Sequence, residues 1–192
     1  LIAEIAEALT EAHAHGILHG DIKSNNLILE RSLPPRPRVI DLSECRLEDA
    51  FFAATEQRYA PSPVHRPTTA RTTGHPSFAA PELLRGEPKS AASDVYALGV
   101  VLFVLLTGRL SGAQAIREIF ADGEPDDAGD RLRQVLISAA HELEDTFIAA
   151  DFFDIVAPDP TARPTMADLL EKLRTESRAL RELRNPAPDR PA

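Results

Sequence analysis

Four polar side chains stand out by type and order. They are Asp21, Lys23 and Asn26 in the string HGDIKSNN (19–26), and Asp41 in VIDLS (39–43). A carboxylate can accept or orient the proton of a hydroxyl. An ammonium two residues on can offset negative charge growing on a transferring group. An amide carbonyl and a second carboxylate supply hard oxygens that suit Mg²⁺. Phosphoryl transfer asks for this combination, because the protein's work there is positioning and cancelling charge rather than covalent chemistry. Taken singly, each residue has a plainer role: Asp21 as a solvated turn carboxylate, Asn26 as a turn asparagine, Asp41 as a cap at a strand end. Only the set points to chemistry.

The elements that would position this set can be read from periodicity. Apolar residues at Ile2, Ile5, Leu9 and Ala12 have helical spacing, so residues 1–15 are expected to form a helix that Gly16 stops. The polar loop 19–26 follows. Leu27–Leu29 and Val39–Ile40 are short apolar runs of strand length. Between them, Ser32–Arg38 holds three prolines and is expected to be irregular, so the pair reads as a β-hairpin with a long turn. A loop and a strand end would thus bring the oxygens of Asn26 and Asp41 together.

Residues 43–78 carry Pro61, Pro63, Pro67 and Pro76 and read as a long irregular segment. Helices are expected over 79–84 and 90–106. The second is apolar on every face from Val95 to Leu106, which marks a core helix. It is well short of the roughly 20 residues that span a bilayer. Ser93 or Asp94 would cap it or anchor a neighbour. Helical patterns also cover 113–121, 130–145 and 147–157. Pro164 and Thr165 open a last helix, with Thr165 and Asp168 as a capping box and Met166, Leu169, Leu170, Leu173, Leu180 and Leu183 as its buried face. Residues 184–192 are expected to form a disordered, Pro-rich tail.

Composition narrows the function classes. The 192 residues suffice for one domain with a sizeable core, and 43% of them are hydrophobic, as in a globular protein. A net charge of −9 gives nucleic-acid binding no electrostatic support. Cys45, the only cysteine, excludes an internal disulfide framework and a cysteine-based zinc site. A cytoplasmic or nuclear setting is expected.

Five strings in order resemble the eukaryotic-type protein kinase family: HGDIKSNN (19–26), VIDLS (39–43), APE (80–82), SDVYALGV (93–100) and DPTARPT (159–165). They cover nearly the whole chain. The resemblance implies a mainly α fold, the kinase C-lobe: a helical bundle around a buried central helix with a small antiparallel β-hairpin, over residues 1–183. It implies Asp21 as the catalytic aspartate with Lys23 beside it, and Asn26 and Asp41 as Mg²⁺ ligands that bind ATP through the metal. The partners it implies are ATP and a protein substrate, and Lys23 after the aspartate points to the Ser/Thr class. His19 would support the loop from beneath, with Leu42 packed near it. Asp94 would hold the loop backbone, and Glu82 and Arg163 would meet as a buried salt bridge.

The chain also departs from the family pattern. Its nine glycines contain no G-x-G, and no lysine precedes Lys23. The Gly-rich phosphate loop and the strand lysine of the N-lobe are therefore absent. The chain is expected to need the N-lobe of its parent protein and to phosphorylate nothing alone. Gly20 stands where an arginine commonly pairs with a phosphorylated activation loop, so that switch is expected to be weak or absent. Ser43 replaces a glycine after Asp41, and His75 a threonine. The alternative reading is a pseudokinase scaffold without phosphoryl transfer.

Overall fold

A computed structural model of the chain describes residues 1–47, 78–107 and 154–184. Four helices and four short strands make up the described regular structure. Helix α1 (Ile2–Ala14) leads into β1 (Ile17–Leu18), then β2 (Leu27–Glu30), β3 (Arg36–Val39) and β4 (Arg46–Leu47). Helices α2 (Pro81–Leu84), α3 (Ala91–Thr107) and α4 (Met166–Arg184) follow. None of the described helices is long and apolar enough to cross a membrane.

Helix α3 is the centre of the core. Its residues Val95, Tyr96, Leu98, Val100 and Val101 are no more than 2% exposed. Burial on every face matches the unbroken apolar run in the sequence. Helix α1 contributes Ile5, Ala6 and Leu9, and α4 contributes Met166, Leu169, Leu170 and Leu173. Leu180 and Leu183, expected on the same α4 face, lie outside the described side chains. Gly99 lets Ile155 come close to α3: a Cβ at Gly99 would sit 2.5 Å from Ile155 Cγ2 and 3.0 Å from Val156 Cγ1.

Side chains close the starts of α3 and α4. The Thr165 N–H donates to Asp168 Oδ2 at 3.2 Å, and the Asp168 N–H returns a bond to Thr165 Oγ1 at 3.2 Å. This is the reciprocal capping box. At α3 the same device uses Ser90 and Ser93, with the Ser90 N–H on Ser93 Oγ at 3.0 Å and the Ser93 N–H on Ser90 Oγ at 3.3 Å. Asp94 is thereby free for another task.

The strands correct two expectations. The hairpin is antiparallel, with Leu27 opposite Val39 and Glu30 opposite Arg36. Arg36–Arg38, expected to be irregular, is therefore strand. The Ile40 N–H bonds the Asn26 carbonyl at 2.9 Å, so 26 and 40 form a hydrogen-bonded pair. Alternation then makes Leu29 and Pro37 a non-bonded pair, and the proline nitrogen points away from the ladder at no cost. The second correction is an additional two-stranded sheet, β1 with β4, pairing Ile17 with Leu47 and Leu18 with Arg46. Two-residue strands leave no periodicity to read. The helical patterns at 113–121 and 130–145, most of 147–157, and residues 185–192 of the tail lie outside the described residues.

Arg163 and Glu82 meet in a forked pair, Nη1 to Oε1 at 2.6 Å and Nη2 to Oε2 at 2.7 Å. Both are buried. Arg163 also donates to the carbonyls of Ala92, Ala157 and Pro158, and its guanidinium lies 5.0 Å from the Tyr96 ring centroid. Residues from three separate stretches are thus joined by one side chain. Arg163→Met strands a buried carboxylate and is expected to cost about 3–5 kcal/mol in urea denaturation. Adding Glu82→Leu removes the orphaned charge, and the double variant is expected to recover part of that loss.

Candidate active site

The loop 19–26 alternates between core and cleft. Ile22 is 2% exposed and inserts into the core, while its neighbours Asp21 and Lys23 are directed elsewhere and remain partly accessible. Asn26 closes a short 3-10 turn, Ser24–Asn26, immediately before β2. Three of the four sequence-derived residues converge there. Lys23 Nζ donates to Asp21 Oδ2 at 2.6 Å. Asn26 Nδ2 donates to the same oxygen at 3.1 Å and to the Asp21 carbonyl at 2.8 Å. With its nitrogen committed to Asp21, Asn26 keeps its carbonyl oxygen as an acceptor.

Asp41 reaches the same end of the hairpin by register, since it follows the residue paired with Asn26. Its backbone is left-handed, φ 66 and ψ 76. Among non-glycine residues, aspartate is one of the few to visit this region readily. Asp41 accepts from the Ser43 hydroxyl at 2.6 Å and from the Ser43 N–H at 3.3 Å. The Ser43 hydroxyl, then its N–H, holds the Asp41 carboxyl below the usual range, with a smaller pull from the charge of Lys23. Among the described contacts no direct hydrogen bond joins Asp41 to Asp21, Lys23 or Asn26. Its carboxylate is exposed, unlike that of Asp21.

A supporting layer fixes the loop. Asp94 is 1% exposed and accepts from the N–H groups of His19 at 2.9 Å and Gly20 at 2.8 Å. The role expected for Asp94 from sequence is the geometry observed. His13, which sequence reasoning did not single out, places Nε2 3.0 Å from Asp94 Oδ2. Its only signal was a histidine within an otherwise regular helix. His19 is buried, as expected of a structural residue: the Asp21 N–H lies 3.3 Å from its Nδ1, and its Nε2 lies 3.2 Å from the Ile40 carbonyl. An accepting Nδ1 leaves Nε2 as the donor. The loop and the residue before Asp41 are thereby tied together.

Leu42 corrects another expectation. It is 66% exposed rather than packed beneath the loop. The left-handed turn at Asp41 leads into the 3-10 turn Leu42–Glu44, which has no buried residue. His75 lies outside the described residues. Sequence reasoning also missed Lys89, whose ammonium bonds Glu44 Oε2 at 2.9 Å. Nothing in the local pattern pairs two charges 45 positions apart.

The donor chemistry suits a hard cation. Asn26 and Asp41 offer an amide carbonyl and a carboxylate. No three His, Cys, Asp or Glu side chains converge as a metal cluster among the described residues.

Comparison with known proteins matches the protein kinase domain to residues 1–173. The chain is 33% identical over 184 residues to serine/threonine-protein kinase PknK of Mycobacterium tuberculosis, covering 91% of this chain and 14% of that protein. It is 34% identical over 113 residues to serine/threonine-protein kinase PkaA of Streptomyces coelicolor, covering 57% and 18%. It is 26% identical over 188 residues to salt tolerance receptor-like cytoplasmic kinase 1 of Oryza sativa, covering 93% and 48%. The chain thus spans less than half the length of each of these relatives.

Asp41 provides a direct test of the Ser43 bond. Its lowered pKa in the folded chain contributes stability that is present above the ordinary value of about 3.9 and lost as pH falls through the lowered one. Ser43→Gly is expected to raise the Asp41 midpoint towards the ordinary value, read from the side-chain carboxyl in an NMR pH titration. An unchanged midpoint would show that the hydroxyl bond is not formed in solution.

Proposed function

The chain belongs to the protein kinase family, and on that footing we propose that it carries the catalytic loop of a Ser/Thr protein kinase. The reaction moves the γ-phosphoryl group of ATP to a hydroxyl of a protein substrate. The observation that supports this most is the convergence on Asp21: Lys23 and Asn26 both bond its carboxylate, and the hairpin register returns Asp41 beside Asn26. The names of the matched relatives agree with it.

Asp21 would take or orient the proton of the substrate hydroxyl. Lys23 would swing its charge towards the phosphoryl oxygens, where it offsets growing negative charge. Asn26 and Asp41 would hold Mg²⁺, which when bound neutralises phosphate charge. Residues 1–183 would form the C-lobe, with 184–192 as a tail outside it. The 192 residues hold no G-x-G and no lysine before Lys23. The phosphate-covering loop and the strand lysine must then come from an N-lobe supplied in the parent protein, and this chain alone would be inactive.

A second reading, a scaffold that has given up phosphoryl transfer, draws on one observation. The Ser43 hydroxyl and N–H both bond Asp41 Oδ1, one of the two oxygens that could bind a metal.

Calorimetry with Mg²⁺-ATP on this chain, alone and joined to an N-lobe, separates the readings. Binding is expected only in the joined form and is expected to be lost in Asp41→Asn. In that form Asp21→Asn is expected to keep binding while phosphoryl transfer falls about 10²–10⁴-fold. No nucleotide binding in either form would favour the scaffold.

A further inference from the structure

Gly20, Glu44 and Lys89 come from three separate stretches and meet at one point. Gly20 belongs to the loop carrying Asp21, Glu44 to the turn that begins at Asp41, and Lys89 to the approach to α3. Gly20 has φ +74, and a Cβ on it would lie 2.6 Å from Lys89 Cδ, 2.9 Å from Lys89 Nζ and 2.9 Å from the Glu44 carbonyl oxygen. The space that a side chain at position 20 would need is therefore taken by the lysine. The Lys89 ammonium donates to Glu44 Oε2 at 2.9 Å and approaches the Glu44 carbonyl at 3.3 Å. Its side chain is only 10% exposed and that of Glu44 28%, so the pair is shielded from solvent. Shielded, charge-assisted bonds of this kind are stronger than those on an open surface.

The stretch 89–94 therefore grips both halves of the candidate site. Asp94 holds the N–H groups of His19 and Gly20. Lys89, five residues earlier, holds the end of the 3-10 turn Leu42–Glu44, for which Asp41 is the N-cap. We propose that Lys89 is a positioning residue: it locks the Asp41 turn against the Asp21 loop through Glu44, and the glycine at position 20 leaves room for it. The inference rests on the kinase reading for its catalytic meaning. Its structural content stands apart. The anion that fixes the turn is a carboxylate of the chain itself, so this tie needs no added phosphate.

The test uses amide hydrogen exchange on the 192-residue chain, with Lys89→Gln, Glu44→Gln and the double variant. Each single change is expected to speed exchange of the amides at 43–47 roughly tenfold or more. The amides at 95–101 in α3 are expected to keep the wild-type rate. The double variant is expected to exchange no faster than Lys89→Gln alone, because the lysine makes both contacts to Glu44. Additive effects, no change at 43–47, or an equal change in α3 would each overturn the latch. In the form joined to an N-lobe, Lys89→Gln is expected to raise KM for Mg²⁺-ATP severalfold, with Lys89→Arg restoring it. If Asp41→Asn leaves Mg²⁺-ATP binding intact, the kinase reading fails while the exchange result still decides the latch.

Discussion

The constraint on which the site depends is the burial of the Asp94 carboxylate in the wall of the core helix. A carboxylate at 1% exposure must have hydrogen-bond donors, and here they are two loop N–H groups and the His13 ring. Helix α3 can hold Asp94 rigidly because it is packed on every face. The loop cannot drift without leaving a charge unsatisfied in a dry place. Core packing is thus converted into the position of Asp21, which directly follows the clamped amides of His19 and Gly20.

The same logic acts on the far side of the core. Arg163 is enclosed with Glu82, three carbonyls and the Tyr96 ring, so all parts of the guanidinium have partners. Such a tie fixes α2 and the start of α4 relative to α3. Its value lies less in net stability than in permitting one arrangement, since a buried ion pair gains little over apolar packing but loses much when split. The loop 19–26 and this tie have α3 in common. It meets the first through Asp94 and the second through Tyr96 and the Ala92 carbonyl.

Much of the architecture was legible beforehand because it is written in short-range patterns. Helix α1, the core helix and the capped last helix follow from spacing and from Thr165 with Asp168. Asp94 and the Glu82–Arg163 pair were reached through family resemblance, because contacts 74 to 81 positions apart leave no periodic trace. The strand at Arg36–Val39 was hidden by Pro37, since only the register shows that the proline nitrogen faces away from its partner. Leu42 was misplaced for a related reason: the left-handed turn at Asp41 decides which way the next side chain faces, and no composition rule reports it.

The sequence by itself determined which groups are available for chemistry: the acid, lysine, amide and acid at 21, 23, 26 and 41. It determined the apolar helix that must lie inside, and the family to which five strings in order belong. Only the tertiary structure decided which groups touch. It set Lys23 and Asn26 on one oxygen of Asp21, gave an Asp41 oxygen to Ser43, and seated Lys89 over Gly20 against Glu44. The physical reason is range. Backbone preference and hydrophobic period act over a few residues and can be read along the chain. Hydrogen bonds and ion pairs require contact to within a few tenths of an ångström, and distant segments reach that only after the core has packed.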